Sequence, residues 1–194
     1  SPLLISGSWA EKIRLSGDLR YRHEAVNDEV MPVRNRHRIR ARANLTDDLN
    51  ENVTVGAGLS TGGTANDSGN QTLGSGFSRK PIGMDLAYFD WKVSDTMNLM
   101  GGKMSNPFFR PAGYHLIYDR DIRPEGLAFK YNSGTFFGNA SAFWVEERPD
   151  GPDSVLLGLQ AGYRGILNNG ANLIAGVSYY KTSHTQRYAP IFTP

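Results

Sequence analysis

The sequence contains no cysteine, no long apolar run and almost no net charge. Without cysteine, the chain of 194 residues has neither disulfides nor thiol chemistry. No run of about 18 or more apolar residues is present, which excludes a transmembrane helix. The formal net charge is only +2, which excludes a polyelectrolyte and makes any basic character local.

Glycine and aromatic residues are plentiful instead. The chain has 22 glycines, and aromatic residues make up 11% of it; together with many short segments, this composition favours an all-β protein. About nine segments alternate with period two over roughly 8–12 residues each, which is the length of a tilted membrane-spanning strand. The alternation predicts nine strands between residues 12 and 180.

The connections between these segments alternate strictly in length. The short ones are TDDLNEN, SDTM, NSGT and ILNNGAN. The long ones are HEAVNDEVMPV, the Gly/Ser/Asn-rich residues 61–83, residues 105–126 and VEERPDGPD. An antiparallel up-and-down meander gives this pattern when one rim has tight turns and the other has loops, as in outer-membrane barrels.

The apolar face mixes glycine and small residues with leucine and valine. A lipid-facing surface accepts this mixture, whereas a soluble core filled so thinly would be poorly packed. Aromatic residues near strand ends fit interfacial girdles: Tyr21, Phe89, Trp91, Tyr131, Trp144, Tyr163 and Tyr179. We therefore expect an all-β, antiparallel up-and-down transmembrane β-barrel. The alternative is a soluble barrel in which these aromatics fill the core.

The odd strand number bears on the domain organisation. Single-chain bacterial barrels have an even number of strands, and the last segment, KTSHTQRYAPIFTP, has the pattern of a loop. We expect residues 1–194 to form a single β-barrel domain that is incomplete at its C-terminus. It would belong to a barrel of about 16 strands; a miscounted strand is the alternative.

The most unusual segment is RNRHRIRAR, in which every second residue is arginine. In a strand, these side chains share one face, and we call them the arginine row: Arg34, Arg36, Arg38, Arg40 and Arg42. If the apolar face meets lipid, the row faces the lumen, because one arginine at mid-bilayer on the lipid face costs about 2–4 kcal/mol.

Three roles for arginines on this face remain open, one of which, pairing with lipid phosphates near the rim, would apply to Arg34 or Arg22 but not to all. A positive lumen wall attracts anions, or the row is a structural ladder neutralised by acidic residues such as Asp18 or Asp90. Charged residues on the polar faces of the other strands complete the predicted pore lining. The predicted pore-lining residues are Arg14, Arg20, Arg22, Arg36, Arg38, Arg40, Arg42, Asp90, Lys92, Lys103, Lys130 and Arg164.

A second charged segment, YDRDIRPEG, mixes both signs. Its charged residues are Asp119, Arg120, Asp121, Arg123 and Glu125. Folded into the lumen, it would form a constriction whose charge opposes the arginine row. The alternative is a solvated external loop held by its own ion pairs. The carboxylate spacing matches no full calcium loop, and we expect no metal and no cofactor.

Other chemistry finds little support in the sequence. The histidines His23, His37, His115 and His184 share no spacing with serine or carboxylate that indicates a catalytic triad, and we expect no catalytic residues. Nucleic-acid binding would require the arginine row to be an exposed face of a soluble sheet, which the regular loop alternation opposes.

Two stretches carry a family resemblance. The first is a Gly-Lys-x-x-Asn-Pro-Phe pattern formed by Gly102, Lys103, Asn106, Pro107 and Phe108. The second enters the next strand and consists of Asp119, Asp121, Pro124, Glu125, Gly126 and Leu127. With its opening KIRLSGDLRYRHE, the chain resembles the N-terminal part of a Gram-negative outer-membrane family described as "putative porin". It lacks the family's later strands and terminal aromatic residue.

The resemblance implies a non-enzymatic barrel in the bacterial cell outer membrane that passes small hydrophilic solutes by passive diffusion. Its partners would be outer-membrane lipid, lipopolysaccharide and the solutes. Many porins are trimers, so a homo-oligomer is left open. The arginine row adds a preference for anions to this expectation. The alternative is a non-conducting barrel that acts as a structural scaffold or adhesin.

Overall fold

In the residues that the structure describes, the secondary structure consists of ten β-strands and one short 3-10 turn. The computed structural model describes residues 13–27, 32–64, 68–113, 119 and 121–185. The strands are β1 (Arg14–Val26), β2 (Arg34–Asn50), β3 (Val53–Thr61), β4 (Gln71–Thr72), β5 (Ile82–Ser94), β6 (Met97–Lys103), β7 (Glu125–Asn132), β8 (Phe136–Glu146), β9 (Ser154–Ile166) and β10 (Asn172–Thr182), and the 3-10 turn is Pro111–Gly113. The nine longer strands confirm those predicted from the alternation. The additional strand, β4, has only 2 residues and is too short to show an alternation of side chains.

Hydrogen bonds join the strands mostly in chain order. The order is β1-β2-β3-β5-β6-β7-β8-β9-β10, and β4 pairs with β2 off this path. Since β1 and β10 end this order, the sheet of the described residues is not closed. The predicted all-β, antiparallel up-and-down architecture is confirmed, and within the described part of the chain no helix is long and apolar enough to cross a membrane.

The connections alternate in length as the sequence predicts. Short turns occupy residues 51–52, 95–96, 133–135 and 167–171. The long connections are residues 27–33, 62–81, 104–124 and 147–153; we call residues 62–81 the second connection and residues 104–124 the third. Strand pairs joined by the short turns are therefore tight hairpins, and the longer connections are all at the opposite strand ends.

By its internal contacts the chain divides into two compact units. Unit 1 is Ser1–Phe89 with His115–Arg123, and unit 2 is Asp90–Tyr114 with Pro124–Pro194. The third connection therefore contributes its first half to unit 2 and most of its second half to unit 1.

In unit 1, alternation separates arginine and apolar side chains onto opposite faces. Arg20 lies opposite Arg40 in the register, and the next pair is Tyr21 with Ile39. The apolar face is open, because Leu15 is 78% and Leu19 is 74% exposed. By contrast, Arg40 on the polar face is 8% exposed. An apolar surface exposed in this way fits contact with lipid.

Unit 2 has the same division. Val177 and Leu159 on the apolar face are exposed, whereas the buried side chains Phe108, Phe137 and Phe143 lie on the polar side. All the aromatics predicted for girdles are exposed, from 37% for Phe89 to 63% for Tyr21. The soluble-barrel alternative required these aromatics to fill a core, and their exposure shows that they do not.

Candidate functional site

The arginine row faces both like and unlike charges on β1. The register places Arg20 opposite Arg40 and Arg22 opposite Arg38. Like charges directly opposite on neighbouring strands destabilise a sheet. Two acidic residues interrupt the repulsion, because Asp18 lies opposite Arg42 and Glu24 lies opposite Arg36.

These two carboxylates bind several arginines each. Asp18 accepts hydrogen bonds from Arg40 Nη2 at 3.0 Å and from Arg42 Nε at 2.6 Å. Glu24 pairs with Arg22 and Arg36, and lies 3.6 Å from Arg38 Nη1. Part of the arginine row is therefore neutralised by Asp18, as the structural-ladder alternative predicted, and by Glu24, which was not among the predicted partners.

The third connection adds a further carboxylate to the polar face of unit 1. The Asp121 carboxylate accepts from Arg40 Nη1 at 3.1 and 3.2 Å, and Arg42 Nη1 lies 3.6 Å away. Arg123 Nε donates to Asp85 of β5 at 3.1 Å. The ion pairs of this segment thus join it to strands. Asp119 is exposed and accepts the Asp121 N–H at 2.7 Å, while Arg120 lies outside the described residues.

The second connection reaches the same face through Asn70. Arg20 Nη2 donates to the Asn70 side-chain oxygen at 2.5 Å, and Arg38 Nη2 donates to the Asn70 carbonyl at 3.0 Å. Next to it, β4 pairs with β2, placing Thr72 opposite Arg38. Asn70 is 8% exposed. Asn70 has no distinctive sequence signal, because it is one of several asparagines in a segment rich in glycine, serine and asparagine.

In unit 2, Gln160 of β9 holds the first half of the third connection. Its Oε1 accepts the Phe109 N–H at 2.7 Å, and its Nε2 donates to the Phe109 carbonyl at 3.0 Å. The Gln160 Oε1 also accepts a hydrogen bond from Asn139 Nδ2 of β8 at 2.9 Å, and its Nε2 also donates to Ser178 Oγ of β10 at 2.9 Å. One side chain therefore links the connection to the polar faces of three strands.

Aromatic rings pack where this segment meets the polar face. The Phe108 ring lies 5.1 Å from the Tyr180 ring and 6.3 Å from the Phe143 ring, both edge to face. The Phe109 and Phe137 rings are 5.2 Å apart. Glycine makes room for them, because a Cβ on Gly158 would lie 2.5 Å from the Phe108 ring. Phe108 is the last residue of the Gly-Lys-x-x-Asn-Pro-Phe pattern. That pattern is the one feature of the sequence that marked Phe108 before its ring contacts were seen.

The predicted pore-lining residues of unit 2 are spread over its strands. Lys103 Nζ pairs with Glu125 at 2.6 Å, and Lys130 lies opposite Asn139. The Arg164 guanidinium lies 4.3 Å from the centre of the Phe137 ring, a cation–π distance.

Two further predicted positions lie on β5. Asp90 accepts a hydrogen bond from Asn98 at 2.7 Å. In the β5–β6 turn, hydrogen bonding from the Lys92 ammonium lowers the pKa of the Asp95 carboxyl. Within the described residues no cluster of His, Asp or Glu could hold a metal ion.

The two stretches of the family resemblance meet across β6 and β7. Gly102 lies opposite Gly126, and Lys103 lies opposite Glu125. Both glycines have positive φ, 107° for Gly102 and 153° for Gly126. Together they shape the strand ends at which the third connection leaves and re-enters the sheet.

Replacing Gln160 with leucine should release the segment around Phe109 from β9. Leucine has a similar size but leaves the N–H and carbonyl of Phe109 unpaired, and an unpaired buried polar group costs about 1–3 kcal/mol. We expect chymotrypsin to cut the folded, detergent-solubilised variant at Phe108 or Phe109 about tenfold faster than the wild type. Ser141→Ala is the control, since the Ser141 hydroxyl is buried there without a hydrogen-bond partner. Equal cleavage of all three proteins would contradict the role of Gln160.

The comparison with protein families agrees with this geometry. The family model described as "Putative porin" matches residues 26–189. The match includes the arginine row, the third connection and both stretches of the resemblance. A search of the curated proteins found no match. Because the family model covers most of its length, the chain belongs to the "Putative porin" family.

Proposed function

We propose that the protein is an outer-membrane porin through which small hydrophilic solutes diffuse passively, with a preference for anions. Membership of a porin family indicates an outer-membrane channel rather than an enzyme. The preference for anions is our own addition. It is supported by the charges on the polar face of β1 and β2.

The observation that carries the proposal is an excess of arginine on this face. Arginines outnumber the carboxylates there: Arg14, Arg20, Arg22, Arg34, Arg36, Arg38, Arg40 and Arg42 stand beside Asp18, Glu24, Asp48 and Asp121. A wall with surplus positive charge concentrates anions near it and opposes cations. Selection would then combine sieving by width with this electrostatic bias.

The third connection is our candidate for the constriction of the pore. In unit 1 its Asp121 lies on the arginine row, and in unit 2 its Phe109 is held by Gln160. A segment held against the polar face of strands narrows a lumen, and Asp121 brings negative charge to the arginines of unit 1. We extend the proposal to the other charged positions predicted for the pore lining, and to contact with lipopolysaccharide in the bacterial outer membrane.

A second candidate function is a non-conducting barrel that serves as a scaffold or adhesin. The same contacts favour it, because both the second and the third connections lie against polar faces. Loops that fill a lumen would block diffusion instead of narrowing it. The two candidates differ in conductance.

The test is the reversal potential of the full-length protein in a planar bilayer under a KCl gradient. We expect a conducting pore whose reversal potential has the sign of chloride selectivity. A pore selective for potassium would support the porin function but overturn the proposal that the arginines make the pore prefer anions. Absence of conductance from folded protein, shown by heat-modifiable mobility on a gel, would favour the scaffold.

A further inference from the structure

Arg20 differs from its neighbours on the polar face in its partner. The arginines Arg40 and Arg42 bind Asp18 and Asp121, and Arg36 binds Glu24. Among the described residues, Arg20 has no carboxylate within ion-pair distance, and its hydrogen bond goes to the Asn70 amide oxygen. A neutral amide satisfies one N–H of the guanidinium and leaves its charge uncompensated.

Three arginines at neighbouring positions of this polar face each have an unused hydrogen-bond donor. The Nε atoms of Arg20, Arg38 and Arg40 are buried and have no hydrogen-bond partner in the described part of the chain. Arg20 is the register partner of Arg40, and Arg38 is two residues from Arg40 on the same face. The side chain of Arg40 is 10% exposed and that of Arg38 is 16% exposed. Buried donors without partners are costly, so three of them together indicate a place where an anion binds.

The adjacent positions show which anion suits this geometry. On one side Arg40 holds the Asp121 carboxylate by two contacts, at 3.1 and 3.2 Å. On the other side Arg36, Arg22 and Arg38 surround the Glu24 carboxylate. The protein's own carboxylates thus occupy the positions on both sides of Arg20, and planar carboxylates match the fork of a guanidinium.

We propose that Arg20, Arg38 and Arg40 form a binding site for the carboxylate group of a passing solute, next to Asn70. This inference rests on the proposed porin function and names the class of solute. Asn70 keeps the site available, because its amide orients Arg20 without neutralising it. The solute carboxylate would lie beside Arg20, between the positions of Glu24 and Asp121.

The experiment measures chloride current through the full-length protein in a planar bilayer while acetate is added in small amounts to KCl. We expect acetate to reduce the chloride current with a saturable dependence on its concentration. Asn70→Asp places a carboxylate against Arg20 with almost no change in size, so acetate should no longer inhibit the chloride current that this variant carries. Arg20→Gln should raise the half-inhibiting concentration about tenfold. Asn52→Asp, in the β2–β3 turn, is the matched control and should behave like the wild type.

Each contrary outcome overturns a specific statement. A conducting, chloride-selective channel that acetate does not inhibit would overturn the carboxylate site and leave the porin function standing. Inhibition by inorganic phosphate at or below the effective acetate concentration would overturn the assignment to carboxylates. Unchanged inhibition in Asn70→Asp would show that acetate acts elsewhere. No conductance from folded protein would overturn the porin function, and the solute site with it.

Discussion

Replacing Arg38, Arg40 and Arg42 together with alanine should abolish the chloride preference of the channel without reversing it. The ion pairs give the reason. The substitutions leave Arg14, Arg20, Arg22, Arg34 and Arg36 beside Asp18, Glu24, Asp48 and Asp121 on this face, a surplus of one positive charge in place of four. A wall with so little surplus charge no longer favours anions measurably.

The measurement is the reversal potential under a KCl gradient, which should move to near zero for the triple variant. Arg79→Ala is the control, because Arg79 is an exposed residue of the second connection outside the strands. Heat-modifiable gel mobility must show that the variants fold. A triple variant that stays as chloride-selective as the wild type would place the source of selectivity elsewhere in the protein.

The largest loss of stability should come from replacing Gly126 with alanine. At this position φ is 153°, and a Cβ would lie 2.1 Å from the Ala142 carbonyl oxygen and 2.8 Å from the Phe143 Cα. Both atoms belong to the backbone of β8, which cannot move away without breaking its hydrogen bonds to β7. Backbone strain together with this overlap should cost on the order of 3 kcal/mol or more.

Gly134→Ala separates the two contributions. Gly134 also has positive φ, 85°, but a Cβ there would meet nothing within 4 Å. Its replacement should cost only about 1–2 kcal/mol, from backbone strain. Urea unfolding in detergent, followed by tryptophan fluorescence, should therefore show a much larger loss for Gly126→Ala. Similar losses at both positions would contradict the steric overlap at Gly126.

The strands and their faces were predictable, because period-two alternation records which side chains share a face. The arginine row and its partner Asp18 lie in one hairpin, so local sequence was enough to connect them. The exposure of Tyr21 and Trp91 also followed from the pattern. Even here there is an irregularity on β5, where the side chains of the consecutive residues Asp85 and Leu86 are both little exposed.

The contacts made by the long connections were not predictable from the same pattern. Asp121 meets Arg40 across 81 residues of sequence, and Gln160 meets Phe109 across 51. Nothing local in these segments specifies the partner, because irregular loops have no periodicity and their ends are placed by the strands. The sequence therefore indicated which residues are charged, and the fold determines which charges remain unpaired.

The close approach of Phe108 to Gly158 limits the combined side-chain volume at two positions that are distant in the sequence. A side chain at position 158 would overlap the Phe108 ring, which already packs against Tyr180 and Phe143. A relative that carries a larger residue at 158 can keep this arrangement only with a smaller residue at 108. We therefore expect a gain of side-chain volume at position 158 among relatives to be matched by a loss of volume at position 108.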